Sequence, residues 1–238
     1  KIHLNNMEFA VNTGLQFTHF CLHASNDMFV KAGLKEWISN CDSGYDQISM
    51  GNANPVYQQI DHFKKDIHSR ILGKRHSIKR ILGSQIEGTF YSLDLVRQIV
   101  KRIQSDKYPE FWPFYNIGFH PKKNWRYWPF RLVEVLLRRL KSPVKITPFC
   151  KEEVLFPTIT EDLVNKSKPY NYCYINWNNN LDITIEEIEL VRSNKIAELN
   201  KLKGLYPADT IQKEMDYFAV KRVLRDTQDP IRKYINTL

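Results

Sequence analysis

The sequence predicts an α/β protein with a mixed sheet flanked by helices. Apolar, aromatic runs typical of strands alternate with segments of helical periodicity, which is the pattern of an α/β chain. Hydrophobic residues make up 42% and charged residues 26% of the 238 residues, a balance that excludes intrinsic disorder, collagen-like repeats and a coiled-coil rod. Because only 9 residues are glycine and no Gly/Ser linker or repeat interrupts the chain, we expect one domain over residues 1–238.

The first elements that the sequence predicts are a strand and a surface helix. Residues 17–22 are apolar and aromatic, and the polar run 24–27 that follows is typical of a loop. In α/β proteins such a loop at a strand end is a common position for a ligand site. Farther on, apolar residues recur at steps of three and four and predict an amphipathic helix: Val56, Ile60, Phe63, Ile67 and Ile71.

A strand followed by a helix is predicted in the middle of the chain. Residues 84–91 have strand character, and Ser92 is placed to cap a helix that continues through Leu95 and Ile99. The segment 108–128 is rich in proline and aromatic residues and indicates an ordered irregular loop. A basic amphipathic helix is expected over 130–140.

The C-terminal third predicts two extended segments and two helices. Residues 172–177 form a strand candidate, and Thr184 with Glu187 forms a capping box at a helix start. Residues 217–223 are expected to be extended, and Pro230 opens a last short helix at its first turn.

Charge and cysteine content limit the class of partner and the compartment. The 35 Lys and Arg against 26 Asp and Glu give a net charge of +9, which indicates an anionic partner. The four cysteines show neither a zinc spacing nor the density of a disulfide scaffold, so we expect free thiols in a reducing compartment. The sequence has no long apolar run, so the expected location is the cytoplasm. A peripheral position at the inner surface of the membrane is compatible with this expectation.

Two acidic residues are candidates for a general base. Glu152 and Glu153 stand at the expected N-terminus of a helix, beside an apolar wall. A carboxylate there is stabilised in its charged form by the helix dipole and by unpaired backbone N–H groups, so it can accept a proton. The alternative is that both are ordinary first-turn acids, a common feature of helices.

A group of cations near the C-terminus is a candidate site for a diphosphate. Lys221, Arg222, Arg225 and Arg232 lie within a short span, and fixed cations stabilise a departing diphosphate. The alternative is a solvated basic surface. No Asp is followed two residues later by another Asp, so the usual metal-holding pair of nucleotide-sugar transferases is missing and the chemistry would rely on Lys and Arg. Phosphate-binding glycine loops and the Gly-x-Ser-x-Gly motif are also missing from the sequence.

Taken together, these segments resemble the core-2/I-branching glycosyltransferases (glycosyltransferase family 14) and their bacterial relatives. Short motifs along most of the chain carry the resemblance. The matching segments are Leu22-His23-Ala24-Ser25-Asn26-Asp27-Met28 with the family's Leu-Ser-Gly-x-Asp-Tyr-Pro loop, Gly83-Ser84-Gln85 with Gly-Ser-x, Cys150-Lys151-Glu152-Glu153 with Ser-Pro-Asp-Glu, Tyr174-Ile175-Asn176-Trp177 with Tyr-Ile-Asp-Trp, and Phe218-Ala219-Val220-Lys221 with Phe-Ala-x-Lys.

The resemblance implies a fold and a reaction. The family has a GT-A type fold, inverts the anomeric centre and works without a metal, so we expect no cofactor. The expected substrates are a nucleotide sugar, UDP-linked and carrying an N-acetylhexosamine or related sugar, and a hydroxyl of a glycan or lipid-linked glycan acceptor. The family's matched positions make Glu153 the catalytic base and Lys221 a donor-diphosphate ligand. Arg222 and Arg225, from the group of cations near the C-terminus, are further candidates for phosphate binding.

The remaining site residues are assigned to donor or acceptor binding. They are Asp27, Asn26, Ser84, Glu87, Tyr174 and Trp177. Trp177, Tyr174 and Trp128 could offer apolar faces to sugar rings, with core packing as the alternative. Glu87, expected inside a strand, is the competing candidate for the base.

This chain also departs from the family pattern. Cys150 replaces the family's capping serine, Ile86 stands where a tryptophan is usual, and Cys173 stands where relatives often carry an arginine. Arg192 is a substitute candidate for phosphate binding, with a simple surface role as the alternative. Relatives carry more chain before the Ser-Asn-Asp loop, with a first strand and part of the nucleotide pocket. We therefore expect either a shortened chain or a donor site that is built differently.

Two other functions are compatible with the sequence. The first is a nucleic-acid-binding module, whereas the transferase hypothesis involves no nucleic acid. It is indicated by a run of basic residues: Lys64, Lys65, Arg70, Lys74, Arg75, Lys79 and Arg80. The aromatic stretch 111–130 with the basic helix after it could instead contact a membrane surface, which is compatible with a transferase that uses lipid-linked acceptors.

Overall fold

A computed structural model describes most of the chain. The described residues are 2–46, 81–104, 136, 139–140, 151–161, 163–176, 182–204 and 209–238. The predicted helix over 56–71, the irregular loop over 108–128 and most of the predicted helix over 130–140 lie outside them. Trp128, Trp177 and the basic run from Lys64 to Arg80 also lie outside them.

The chain divides into two compact units, each described by itself. The first unit comprises Lys1–Leu15, Pro55–Ser84 and Val96–Leu163, and the second comprises Gln16–Asn54, Gln85–Leu95 and Val164–Leu238. The single-domain interpretation stays a prediction. Among the described helices, none combines the length and apolar character needed to cross a membrane.

The described elements are a mixture of helices and strands along the chain, as expected of an α/β protein. In chain order they are α1 (Ile2–Asn12), β1 (His19–Cys21), β2 (Met28–Phe29), α2 (Leu34–Ile38), β3 (Ser43–Gly44), β4 (Phe90–Ser92), α3 (Leu93–Gln104), α4 (Lys151–Thr160), β5 (Ser167–Lys168), β6 (Cys173–Tyr174), α5 (Ile185–Arg192), α6 (Ile196–Leu202), α7 (Asp209–Glu214), β7 (Ala219–Val220) and α8 (Pro230–Ile235). The strands are two or three residues long, so side-chain packing rather than long ladders holds the second unit together.

Two small mixed sheets form the second unit, which confirms the prediction of a mixed sheet flanked by helices. The first has the order β1-β4-β3-β5, in which β3 and β5 are parallel and the other neighbours are antiparallel. The second has the order β2-β7-β6, with β2 antiparallel and β6 parallel to the central β7.

Two buried clusters lie on either side of the three-stranded sheet. One joins the sheet to α5, α6 and α8 through residues that include Tyr174, Val220 and Ile188. The other joins it to the four-stranded sheet through residues that include Phe90, Cys173 and Ala219. Because paired residues share a face of a sheet, the register puts Met28, Val220 and Tyr174 on the helix side, and puts their neighbours along each strand on the other side.

The capping signals of the sequence are confirmed. Thr184 Oγ1 accepts from the Glu187 backbone N–H, and the Glu187 carboxylate accepts from the Thr184 N–H, which completes the capping box of α5. Ser92 Oγ accepts from the Leu95 N–H at 3.4 Å at the start of α3. Pro230 occupies the first turn of α8, and Asp229 caps that helix.

The prediction of a strand over residues 84–91 is wrong for most of that segment. The strand β4 begins only at Phe90, and Ile86 to Thr89 form a turn with Gly88 at φ 83°. A Cβ on residue 88 would lie 2.5 Å from the Cβ of Cys173, so the turn approaches β6 more closely than any larger residue allows. Glu87 is therefore a turn residue rather than a strand residue.

Candidate functional site

The cation expected to bind diphosphate, Lys221, lies at the end of β7 and pairs with Glu87. The ammonium of Lys221 contacts Glu87 Oε1, and the two side chains are 15% and 19% exposed. These residues are more than a hundred positions apart in the sequence, where Lys221 is a candidate diphosphate ligand and Glu87 a candidate base. The structure therefore joins two of the sequence-predicted site residues in one ion pair that water can still reach.

The turn that carries Glu87 is fixed by hydrogen bonds to two neighbouring segments. The Gly88 N–H donates to Leu22 O at 2.8 Å, and the Tyr172 N–H donates to Gly88 O at 2.9 Å. Within the turn, Thr89 Oγ1 donates to Ile86 O at 2.7 Å. Together with the close contact of Gly88 on Cys173, these bonds hold the Glu87 backbone beside β6 and β7.

Arg222, the next residue after Lys221, has an unusual backbone. Its φ is 71°, a conformation that costs an ordinary residue of the order of 1 kcal/mol. The guanidinium Nη1 donates to Asn176 O at 3.1 Å, which ties the end of β7 to the chain after β6. Strained residues concentrate at functional sites, so this strain favours a functional role for the end of β7.

The Ser-Asn-Asp loop closes onto the same end of the sheet. The Val223 N–H donates to Asn26 O at 3.0 Å, directly after Arg222. The Asp27 side chain is fully buried, and its Oδ2 accepts from the Ala24 N–H at 2.7 Å and contacts His23 Nδ1 at 3.4 Å. Asp27 thus closes its own loop, while its Oδ1 has no hydrogen-bond partner among the described residues.

Two thiols and a phenol near this ion pair remain protonated at neutral pH. Burial raises the pKa of Cys21 to about 11, and burial also raises the pKa of Cys173 well above its usual value, with Asp27 adding to that rise. For Tyr172, burial is again the largest cause of a raised pKa. The cysteines Cys21, Cys41 and Cys173 are free thiols, and Cys21 and Cys173 are poor nucleophiles in this setting.

Tyr174 lies on the other face of the sheet, in the helix-side core. Its ring is fully buried, and its hydroxyl donates to Glu187 Oε1 at 3.1 Å. The same carboxylate oxygen accepts from Asn176 Nδ2 at 3.0 Å. Burial raises the pKa of Tyr174, so the hydroxyl stays a donor. This is a core position, in line with the packing alternative for Tyr174.

Arg192 and Arg225 are both exposed side chains. Arg192 Nη1 donates to Glu189 Oε1 at 2.8 Å on the surface of α5, where the two side chains are 36% and 44% exposed. Tyr234 also donates to that carboxylate oxygen. The hydrogen bond from Tyr234 and then that from Arg192 lower the pKa of Glu189. Arg225 is exposed in the segment between β7 and α8.

Glu153 belongs to the first unit and stands in the first turn of α4, as predicted. Pro157 lies inside this helix and has no N–H to donate to the carbonyl four residues earlier, which is that of Glu153. The Ser84 N–H donates to that carbonyl at 2.8 Å. Ser84 is buried, and its link to Glu153 follows from a proline that the sequence argument did not use.

The residue Leu82 and the helix α1 also contact α4. Thr158 Oγ1 exchanges hydrogen bonds of 3.0 Å with the backbone N–H and O of Leu82. Glu152 Oε1 accepts from the Leu4 N–H at 3.3 Å. Of the two first-turn acids, Glu152 thus binds α1, and Glu153 is half-buried beside it.

The residues of the second unit define a mixed α/β protein with a partly buried Lys–Glu pair at a sheet end. In the part of the chain that the structure describes, no three His, Cys, Asp or Glu side chains are grouped in a way that could hold a metal ion. No protein-family model, no curated protein and no solved structure matches this chain.

Proposed function

We propose that this protein is an inverting glycosyltransferase that moves a sugar from a nucleotide-sugar donor to a hydroxyl of a glycan acceptor. The transferred sugar would be an N-acetylhexosamine or a related sugar, the donor would be UDP-linked, and the catalytic domain would have a GT-A type fold. The proposal requires no metal, because Lys and Arg side chains would stabilise the leaving diphosphate.

The observation that carries the proposal is the meeting of three motif segments and Glu87 at the end of β7. The Asn26 carbonyl, the Glu87 carboxylate and the Asn176 carbonyl each contact one of the consecutive residues Lys221, Arg222 and Val223. Sheet pairing brings these segments together, because β2 and β6 are the neighbours of β7 in the three-stranded sheet. Ligand sites are commonly built from residues distant in sequence that meet in this way, so the positions of the matched residues support a shared site.

Lys221 and Arg222 supply the charge that a diphosphate needs. An ammonium that is 15% exposed is partly desolvated, so its interaction with a phosphate oxygen is stronger than on an open surface. Glu87 pairs with the Lys221 ammonium. We infer that this pair orients Lys221 until an anionic ligand replaces Glu87 as the partner of the ammonium. Arg192 pairs with Glu189 at the surface of α5, and Arg225 is exposed, so the proposal gives neither a part in phosphate binding.

The reaction is a single displacement. Glu153, the base that the resemblance implies, would take the proton from an acceptor hydroxyl while the hydroxyl oxygen bonds to the anomeric carbon. The bond between that carbon and the diphosphate oxygen breaks, and the nucleoside diphosphate leaves with the electron pair. Attack from the face opposite the nucleotide inverts the configuration. Glu87 is the competing base, but its carboxylate would first have to leave Lys221.

Turnover tests the proposal. Purified protein is incubated with a panel of nucleotide sugars and glycan acceptors, and nucleotide release is followed with and without EDTA. We expect acceptor-dependent release that persists in EDTA. Glu153→Gln should lower it by about a hundredfold or more, because a general base contributes about 10²–10⁴. Donor binding should survive that substitution.

The neighbouring acid provides a matched control. Glu152→Gln changes the same helix turn and the same charge, so it should leave turnover within about threefold of wild type if the base is Glu153. Loss of turnover in Glu87→Gln with full activity in Glu153→Gln would instead make Glu87 the base. Turnover abolished by EDTA, or absent with every donor, would contradict the proposal.

A further inference from the structure

We propose that Phe29 is the stacking platform for the nucleobase of a nucleoside diphosphate whose phosphates reach Lys221. The inference rests on the proposed function, because it takes a nucleotide as the ligand of the same sheet end. It assigns the base-binding part of the site to β2.

Among the aromatic residues that the structure describes, Phe29 is one of two that are exposed to water. Of the aromatic Phe, Tyr and Trp side chains that the structure describes, only Phe9 and Phe29 are exposed, at 66% and 48%. Phe9 belongs to α1 in the first unit, whereas Phe29 lies on the edge strand of the three-stranded sheet. A single exposed aromatic residue needs no explanation by itself, so its surroundings decide the case.

Other rings hold Phe29 in one orientation. The ring of His23 meets it edge to face, with centroids 4.5 Å apart at 74°. The ring of Tyr172 lies nearly parallel to it, at 7° and 6.0 Å. Tyr172 is itself fixed, since its hydroxyl donates to Leu22 O at 3.0 Å and its side chain is buried. A ring held in this way loses little entropy when a ligand stacks on it.

The sheet register relates this platform to the ion pair. Phe29 pairs with Ala219, so the two side chains share a face, and alternation along the chain puts Lys221 on that same face two residues farther on. Two residues of extended chain span about 7 Å. A ribose and the start of a diphosphate cover a gap of that order, and the long side chain of Lys221 adds reach.

Ring and charge together favour a nucleotide over the other ligands of an aromatic surface. Every nucleobase offers a flat π-face, and base–aromatic stacking tolerates any base. A neutral sugar ring could also lie on Phe29, but it would leave the nearby ammonium without an anionic partner other than Glu87. A nucleoside diphosphate satisfies both features through one molecule.

Calorimetric titration with two ligands separates the platform from the phosphate contact. Uridine diphosphate carries a base and phosphates, and inorganic pyrophosphate carries phosphates alone. In Phe29→Ala we expect uridine diphosphate to bind at least about tenfold more weakly, because the stacked ring is lost, while pyrophosphate binds as in wild type. Phe29→Trp should retain the affinity for uridine diphosphate.

Two further variants serve as controls for this test. Phe29→Leu keeps an apolar side chain on the edge strand but has no π-face, so it should show the same selective loss even if the alanine variant folds poorly. Phe9→Ala removes the other phenylalanine that is exposed among the described residues, and it should change neither titration. Thermal unfolding of each variant checks that the fold is intact.

The outcomes distinguish the two proposals. Equal binding of uridine diphosphate by wild type, Phe29→Ala and Phe29→Leu would overturn the platform while leaving the transferase proposal intact. If Phe29→Ala and Phe29→Leu bind uridine diphosphate as wild type does but bind a glycan acceptor more weakly, Phe29 is a platform for a sugar and the nucleobase platform is overturned. Phe29-dependent nucleotide binding without transfer from any donor would support the platform and contradict the transferase. Failure of wild type to bind uridine diphosphate would overturn the platform.

Discussion

Two lysine–carboxylate pairs of the second unit differ in how far water reaches them. Lys203 and Asp46 lie 3.7 Å apart with side chains 1% and 5% exposed, and Lys203 also lies 5.6 Å from the centre of the Tyr217 ring. Lys221 and Glu87 are 15% and 19% exposed. A charge pair sealed in the core can only stabilise or destabilise the fold, whereas a pair open to water can exchange a partner for a ligand.

The exposed pair of Arg192 and Glu189 extends this comparison to a third environment. At 36% and 44% exposure, its charges are screened by water and contribute little to stability. Of these three pairs, the intermediate one combines partial desolvation, which strengthens its electrostatic interactions, with enough exposure for a ligand to enter. Substitutions in the three pairs should separate these behaviours.

The largest effect is expected at the sealed pair. Lys203→Met removes the cation that faces Asp46, and breaking a buried ion pair in this way costs about 3–5 kcal/mol. Denaturant unfolding should report a loss of that size in the free energy of unfolding, with no selective change in pyrophosphate affinity. The double variant Lys203→Met with Asp46→Asn should recover part of the loss. A stability equal to wild type in the single variant would show that the core tolerates the charge.

The intermediate pair should show its largest effect in binding rather than stability. Glu87→Gln keeps the shape of the side chain and removes the negative charge that competes for Lys221. We expect pyrophosphate to bind about tenfold more tightly, since a like charge at close range costs roughly 1.4 kcal/mol. Glu189→Gln removes a carboxylate from the surface pair and should leave the affinity unchanged. Weaker pyrophosphate binding in Glu87→Gln would mean that Glu87 does not compete with the ligand.

The smallest effect is expected at the surface pair. Arg192→Ala should change the free energy of unfolding by less than about 1 kcal/mol, because exposed ion pairs are worth little. It should also leave pyrophosphate affinity and transfer unchanged. A tenfold loss of pyrophosphate affinity would restore Arg192 as a phosphate ligand. The same titrations report this outcome directly.

Local signals in the sequence predicted the parts of the fold that local interactions form. The capping box joins Thr184 and Glu187, which are three residues apart. The start of α8 depends on the backbone preference of Pro230 itself. The strand predicted over 84–91 was mostly wrong because Gly88 turns the chain against Cys173, a contact between residues distant in sequence. Periodicity cannot report such a contact.

The candidate site shows the same division. The sequence proposed Glu87 and Lys221 separately, but nothing local indicates that they form a pair. The exposure of Phe29 depends on β2 being an edge strand, which follows from the order of three short strands distant in sequence. By contrast, Pro157 was a usable signal: a proline inside a helix frees the carbonyl four residues earlier, and here that carbonyl binds Ser84.

Pyrophosphate titration of Lys221→Met tests the central claim most directly. Lys213→Met removes an exposed lysine from α7 and is the matched control, because it changes the net charge equally. The account predicts that wild type and Lys213→Met bind alike and that Lys221→Met binds at least about tenfold more weakly, since a hydrogen bond to a charged group is worth about 1.5–3 kcal/mol. Equal affinities in all three proteins would contradict a diphosphate site at the end of β7.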